Sequence, residues 1–199
     1  VGVTGYSYGG DISLALSGAR FDPQDYLEYC KDPPRIDVGY GADWYLENAC
    51  GPSKKWGEME AFAGEEITNS TDGLWQPLTD PRIVAVMPMA PSGAWLYGER
   101  GLAAADRPVL LLANTEDEFS PYSVETAFIY ENLGGPEVSL ITFVGRDHMM
   151  AFDANEVLRI KHFMVAFFGY HLQGRQDYHQ YFSEEFVSQF EDLAWGMVK

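Results

Sequence analysis

Val1-Gly2-Val3-Thr4-Gly5-Tyr6-Ser7-Tyr8-Gly9-Gly10-Asp11-Ile12-Ser13-Leu14-Ala15-Leu16 is the stretch that decides how the rest of the chain is read. Val1 to Thr4 reads as the end of a strand. Asp11 to Ala19 carries Ile12, Leu14, Ala15, Leu16 and Ala19, a short helix with a mostly apolar face. Between them, Gly5-Tyr6-Ser7-Tyr8-Gly9 has the form G-x-S-x-G and is followed by a further Gly10. A sharp strand-to-helix turn forces its central residue into a strained backbone conformation, and flanking glycines prevent collision there. The Ser7 hydroxyl is then presented above a sheet, beside the positive end of the helix dipole. Composition alone yields such a pentapeptide in roughly one chain in ten. The strand before it and the helix after it give it its weight.

Working outward, Arg20 to Pro81 loses regular pattern. Pro23, Pro33, Pro34, Gly39, Gly41, Gly51, Pro52, Gly57, Gly64, Gly73 and Pro77 punctuate it. It reads as an insertion of short helices and loops at about 20–81, not as a second domain. Ile83–Met87 and Val109–Ala113 are continuous apolar runs suited to strands buried on both faces. Val124–Leu133 reads as a helix ended by Gly134-Gly135-Pro136, and Val138–Val144 as a further strand. Asn155–Leu172 carries the strongest helical pattern, and Ser183–Leu193 reads as a last amphipathic helix. Apolar strands alternating with helices predict the α/β class, an open, doubly wound and mostly parallel sheet with helices on both sides.

A serine hydroxyl is a poor nucleophile near neutral pH and needs a base, which in turn needs an orienting acid. In a doubly wound sheet both belong in loops at the carboxyl ends of later strands. Two loops qualify: Asn114-Thr115-Glu116-Asp117-Glu118-Phe119-Ser120-Pro121 and Gly145-Arg146-Asp147-His148. Of four histidines, His162 and His171 fall on the long helix and His179 in an aromatic tail, so His148 is the base candidate. Glu116, Asp117, Glu118 and Asp147 compete as the acid. Asp147 adjoins His148, which points neighbouring side chains apart, and Asp117 is favoured three residues beyond the strand end. Chain order is then serine, acid, histidine.

With 30 acidic against 13 basic residues, the formal net charge is −17. That excess disfavours nucleic-acid phosphates and anionic membranes, both of which need clustered basic residues. No run approaches the length of a transmembrane helix. Cys30 and Cys50 either close a loop as a disulfide or are two unrelated thiols, and their spacing is not that of a zinc site. No metal and no organic cofactor is expected. The compartment is not legible, although so acidic a surface fits extracytoplasmic or secreted surroundings somewhat better.

The residues quoted carry a resemblance to the α/β-hydrolase fold, within it to dienelactone-hydrolase-like and platelet-activating-factor-acetylhydrolase-like serine esterases. Gly5–Gly10, Gly18-Ala19-Arg20-Phe21-Asp22, Asp80-Pro81-Arg82-Ile83, Met89-Ala90-Pro91, Pro108–Asp117 and Gly145–Phe152 carry it. Arg35 to Pro77 matches least, and Ile160–Phe182 resembles the terminal helix and tail of cutinase-like polyester hydrolases. The resemblance implies Ser7 as nucleophile, Asp117 as orienting acid, His148 as base and the Tyr8 N–H as an oxyanion donor. It implies hydrolysis of small or polymeric carboxylic esters. Asn114 stands where the family usually has glycine, a tolerable change because Asn also accepts positive φ. Ser7 replaces the cysteine of the name-giving dienelactone hydrolases.

In that fold several strands precede the turn, which here arrives at residue 7. The expectation is therefore the C-terminal part of the fold, with its N-terminal strands and a second oxyanion donor supplied elsewhere, on the same or a separate chain. Tyr6, Trp95, Tyr97, Phe119 and Met149 are candidates for an apolar substrate pocket. Trp44, Tyr45, Trp56 and Trp75 form either a lid or a small core of the insertion. Two rival readings are a prolyl-oligopeptidase-type serine peptidase, which shares the G-x-S-Y-G-G turn, and a non-catalytic binding or assembly member of the fold.

Overall fold

A computed structural model describes residues 1–33 and 42–198. Pro34, Gly39, Gly41 and the side chain of Trp44, read above as parts of the insertion, lie outside the described residues.

Strands β1 (Gly2–Tyr6), β2 (Ala85–Met89), β3 (Val109–Asn114), β4 (Val138–Phe143) and β5 (Leu193–Trp195) form one sheet in chain order. The first four run parallel, and β5 joins β4 antiparallel through Ile141↔Trp195, Thr142↔Ala194 and Phe143↔Leu193. Period-two alternation sorts the strand residues onto two faces. Met87, Leu110, Leu112, Ile141 and Phe143 face one core with Ile160, Phe163, Phe167, Phe182 and Val187. Val109, Leu111 and Leu140 face the other, with Leu14, Leu102 and Ile129. Each such side chain, fully removed from water, contributes about 1.5–3 kcal/mol. The chain is thus a mixed α/β protein whose mostly parallel sheet is covered by helices on both faces.

Helix α1 (Tyr8–Leu16) begins directly after Ser7, three residues earlier than its apolar pattern predicts. In the insertion lie α2 (Pro23–Tyr29), α3 (Ala42–Cys50), α4 (Trp56–Ala63) and α5 (Glu65–Thr68). Asp22 caps α2 by accepting from the N–H groups of Gln24 and Asp25 at 3.2 Å each. Tyr26, Tyr45, Ala49 and Trp95 form a small core with Phe21 and Trp56 around them. Cys30 and Cys50 are joined by a disulfide, tying the end of α2 to the end of α3.

Beyond the insertion come α6 (Ala94–Ala103), α7 (Thr126–Asn132), the twenty-residue α8 (Ala154–Gln173) and the short α9 (Glu184–Val187). Sequence pattern did not disclose α6, because Gly98 and Gly101 interrupt it. Gly98 has φ 55°, and a Cβ there would meet the Asp25 carboxyl at 2.5 Å, so α6 bends where it abuts α2. The expected helix over Ser183–Leu193 is replaced by α9 and β5. Ser183 caps α9 through the Phe186 N–H, but the chain then turns to pair with β4. Satisfying the backbone groups of that strand outweighs local helical propensity.

Candidate active site

The carboxyl ends of β1, β3 and β4 carry Ser7, Asp117 and His148, and register among parallel strands sets their separation. Ser7 has φ 56° and ψ −124°, a left-handed conformation rare outside glycine. Its N–H donates to the Met89 carbonyl at 2.9 Å, while its own carbonyl accepts from Gly10 at 2.7 Å and Asp11 at 3.2 Å. A Cβ on Gly5 would lie 2.0 Å from the Gly9 carbonyl oxygen, so the turn closes only with glycine there. As the first residue of α1, Tyr8 holds one of the N–H groups that have no partner within the helix.

His148 is buried, and both Asp117 oxygens lie 2.8 Å from its Nδ1. A carboxylate accepts, so Nδ1 carries the proton and Nε2 is left to accept from the Ser7 hydroxyl at 3.0 Å. Asp117 is itself fixed by donors: Ser120 N–H at 2.7 Å, Phe119 N–H at 3.0 Å and the Asn114 amide at 3.1 Å. Asn114 ends β3 without a positive φ; its side chain, not backbone freedom, is what the site uses.

Competing acids have other tasks. Asp147 accepts from the Met149 N–H, and Glu118 accepts from the His148 N–H at 3.3 Å. Exposed Glu116 donates its backbone N–H to the Arg146 carbonyl at 3.0 Å, and Thr115 Oγ1 accepts from Gly145 N–H at 2.8 Å. The acid loop and the base loop are thereby stitched together. Beneath them Glu156, buried on α8, meets Arg146 at 2.8 Å and Arg159 at 3.1 Å. Arg159 also meets Asp192 at 2.6 Å, just before β5. Among the other histidines, His162 stacks on Phe186, and His171 and His179 pack against Tyr170 and Phe182.

A small cleft of about 20 Å³ beside Ser7 is lined by Tyr8, Tyr45, Asn48, Ala49, Ser92, Trp95 and Phe119. Trp95 and Phe119 were among the residues expected to contact substrate. Phe119 also lies 5.1 Å from the His148 ring. Tyr97 and Met149 do not line this cleft. Tyr97 is buried in the core behind α1, where its hydroxyl donates to the Asp11 carbonyl at 2.7 Å, and Met149 is half exposed near Phe152. Tyr6 packs on the His148 ring at 5.0 Å instead. Its hydroxyl is buried with no hydrogen-bond partner among the described residues, and burial raises its pKa. A larger apolar cavity of about 210 Å³, between Ala15, Phe21, Trp75 and Leu78, holds none of Ser7, Asp117 and His148.

Sequence reasoning missed two buried carboxyls under this cleft. Asp11 accepts from the Ser92 N–H at 2.6 Å and the Ser92 hydroxyl at 3.2 Å, and burial pushes its pKa up to about 6. Glu125 is fully buried; one oxygen accepts from the Ala94 N–H at 2.9 Å and the other is bonded to the Tyr45 hydroxyl. Burial pushes the Glu125 carboxyl up to about 8. Tyr45, expected in either a lid or a small core of the insertion, belongs to that core and also lines the cleft. Asn48 and Ala49 were missed, although with Tyr45 they stand at i, i+3 and i+4, one face of a helix.

Among the described residues, no group of three or more His, Cys, Asp or Glu is arranged to hold a metal ion. No helix among them is long and apolar enough to cross a membrane. No protein-family model matches the chain, and no curated protein sequence matches it. The chemical reading therefore rests on the geometry. A strained serine hydroxyl donates to an imidazole whose far nitrogen is held by a carboxylate, an arrangement able to transfer a proton from oxygen to nitrogen during nucleophilic attack.

Proposed function

We propose that the chain carries the catalytic residues of a serine-dependent carboxylic ester hydrolase of the α/β-hydrolase type. The observation that supports this most is the unbroken hydrogen-bonded chain from Ser7 Oγ through His148 to Asp117, anchored on a left-handed Ser7. The peptidase reading shares the same Gly5–Gly10 turn, so the choice between ester and peptide substrates is left to the assay below.

In the proposed reaction Ser7 Oγ attacks the ester carbonyl carbon as His148 Nε2 takes its proton. Negative charge gathers on the carbonyl oxygen, toward which the Tyr8 N–H donates. Such a donor is worth about 3 kcal/mol in a tetrahedral intermediate. The carbon–alkoxy bond then breaks, and His148 returns the proton to the departing alcohol. Water enters, gives a proton to His148 and attacks the acyl-serine; the acid leaves and Ser7 regains its proton. Asp117 holds the imidazole in the tautomer this needs and stabilises the imidazolium between steps.

Intact-mass analysis after treatment with a fluorophosphonate tests the reading. One adduct per chain, mapped to Ser7 and lost in Ser7→Ala, is the expected result. A folded protein that takes no adduct, or takes it at another serine, overturns it. Faster cleavage of aminoacyl-arylamides than of esters would move the assignment to the peptidases.

A further inference from the structure

The wall facing Ser7 is built from the insertion, and three independent ties hold it there. The disulfide between Cys30 and Cys50 fixes the last turn of α3. The Tyr26 hydroxyl donates to the Ala49 carbonyl at 3.0 Å, inside the same small core. Tyr45 bonds through its hydroxyl to Glu125 and lies 3.2 Å from the Tyr29 hydroxyl. The other Glu125 oxygen takes the Ala94 N–H, next to Trp95, which lines the same cleft and shares the small core with Tyr45. Across the gap the Tyr8 hydroxyl donates to Asn48 Oδ1 at 3.5 Å.

A space of about 20 Å³ holds little more than one water-sized group. A substituent of an ester carbonyl that enters this cleft from Ser7 fills it with a methyl or ethyl group. Of its lining residues Tyr8 and Asn48 are exposed, whereas Tyr45 is 3 % exposed and hydrogen-bonded to a fully buried carboxyl, so a longer chain that runs against Tyr45 meets the wall least able to yield. Packed walls of this kind resist one added methylene at a time.

We infer that α3 is a fixed specificity wall, with Tyr45 as its specificity-determining residue, restricting the site to esters in which one substituent of the carbonyl has no more than two carbons. The inference rests on the ester-hydrolase reading and deepens it. It concerns the size of the group admitted, whichever side of the ester that group occupies.

The test compares kcat/KM along two series on the intact, oxidised protein: p-nitrophenyl acetate, butyrate and octanoate, and ethyl, butyl and octyl acetate followed by pH-stat. In at least one series the value falls 100-fold or more from the two-carbon to the eight-carbon member. Tyr45→Ala then raises the long-to-short ratio in that series at least tenfold. Asn48→Ala, at an exposed position where a smaller side chain is readily accommodated, raises it in the same direction and covers the case in which Tyr45→Ala does not fold. A wild-type protein that hydrolyses both series with no loss along either overturns the wall while leaving the hydrolase reading standing. Variants that leave the ratio unchanged overturn it equally. Failure to hydrolyse any member, with no fluorophosphonate adduct at Ser7, overturns both.

Discussion

Glu125→Gln isolates a charge from a shape. In the folded protein the Glu125 carboxyl titrates at about 8 against an ordinary value of 4.5, because burial penalises its charged form more than the Tyr45 and Ala94 hydrogen bonds relieve it. A carboxyl with a raised folded pKa keeps its proton in the native state while the unfolded chain has lost it. Between about pH 4.5 and 8 the native state therefore binds more protons, and stability falls as pH rises, by up to about 1.4 kcal/mol per pH unit from this one group. The full window corresponds to about 5 kcal/mol, trimmed to about 2–5 kcal/mol by local relaxation. Glutamine has the same outline: its oxygen accepts from the Ala94 N–H and its amide donates to the Tyr45 oxygen. Asp11, pushed up to about 6 by burial, acts in the same direction at lower pH in both proteins. Urea midpoints and m-values at half-unit steps from pH 5 to 9 supply the measurement. The two proteins should agree within about 1 kcal/mol at pH 5, and the variant should lead by about 2 kcal/mol or more at pH 8.5. Parallel curves for the two proteins would refute the argument, showing that Glu125 titrates as though exposed.

Replacing both Cys30 and Cys50 by Ser frees a loop whose ends are 20 positions apart, which should cost about 3 kcal/mol in urea denaturation. Equal stability would mean that the insertion holds α3 without the bridge. Gly5→Ala should prevent the Ser7 turn from closing and lower stability by at least about 3 kcal/mol, whereas Gly9→Ala, with nothing within 4 Å of the new Cβ, should stay within about 1 kcal/mol. Similar melting temperatures for the pair would contradict the close approach. Asp117→Asn keeps the outline but no longer fixes the imidazole tautomer, so the rate of ester turnover should drop by about 10⁴-fold. A loss under tenfold would show that Asp117 does not orient His148.

Legibility in the sequence followed the strength of local pattern. Val109–Ala113 and Val138–Val144 lie within a residue of β3 and β4, and Asn155–Leu172 within one residue of α8, because strands buried on both faces and a long helix write themselves in unbroken apolar runs. The strand expected at Ile83–Met87 starts two residues later, since Ile83 only closes the turn from Asp80. Helix α6 was invisible because its glycines serve close approaches to α2, and β5 because only the edge of β4 makes Leu193–Trp195 extended. In the site, spacing from strand ends pointed to Ser7, Asp117 and His148, which the fold brings together in one hydrogen-bonded chain. It did not reach Tyr97, where pattern near β2 cannot separate a core residue from a cleft residue. Nor did it reach Asp11 or Glu125, or the bond of Tyr45 to Glu125, because their partners come from distant parts of the chain.

The ion cluster of Arg146, Glu156, Arg159 and Asp192 carries a practical consequence. Arg146 sits two residues before His148, and Asp192 immediately precedes β5, whose Leu193 pairs with Phe143. The loop that holds the imidazole is moored to the last strand of the described chain. Trimming that strand, or straining it with a bulky fusion partner, would slacken the mooring and let the base drift from the serine, with the nucleophile and its turn untouched. A preparation altered at this end can therefore fold, carry Ser7 in its strained pose and still turn over poorly.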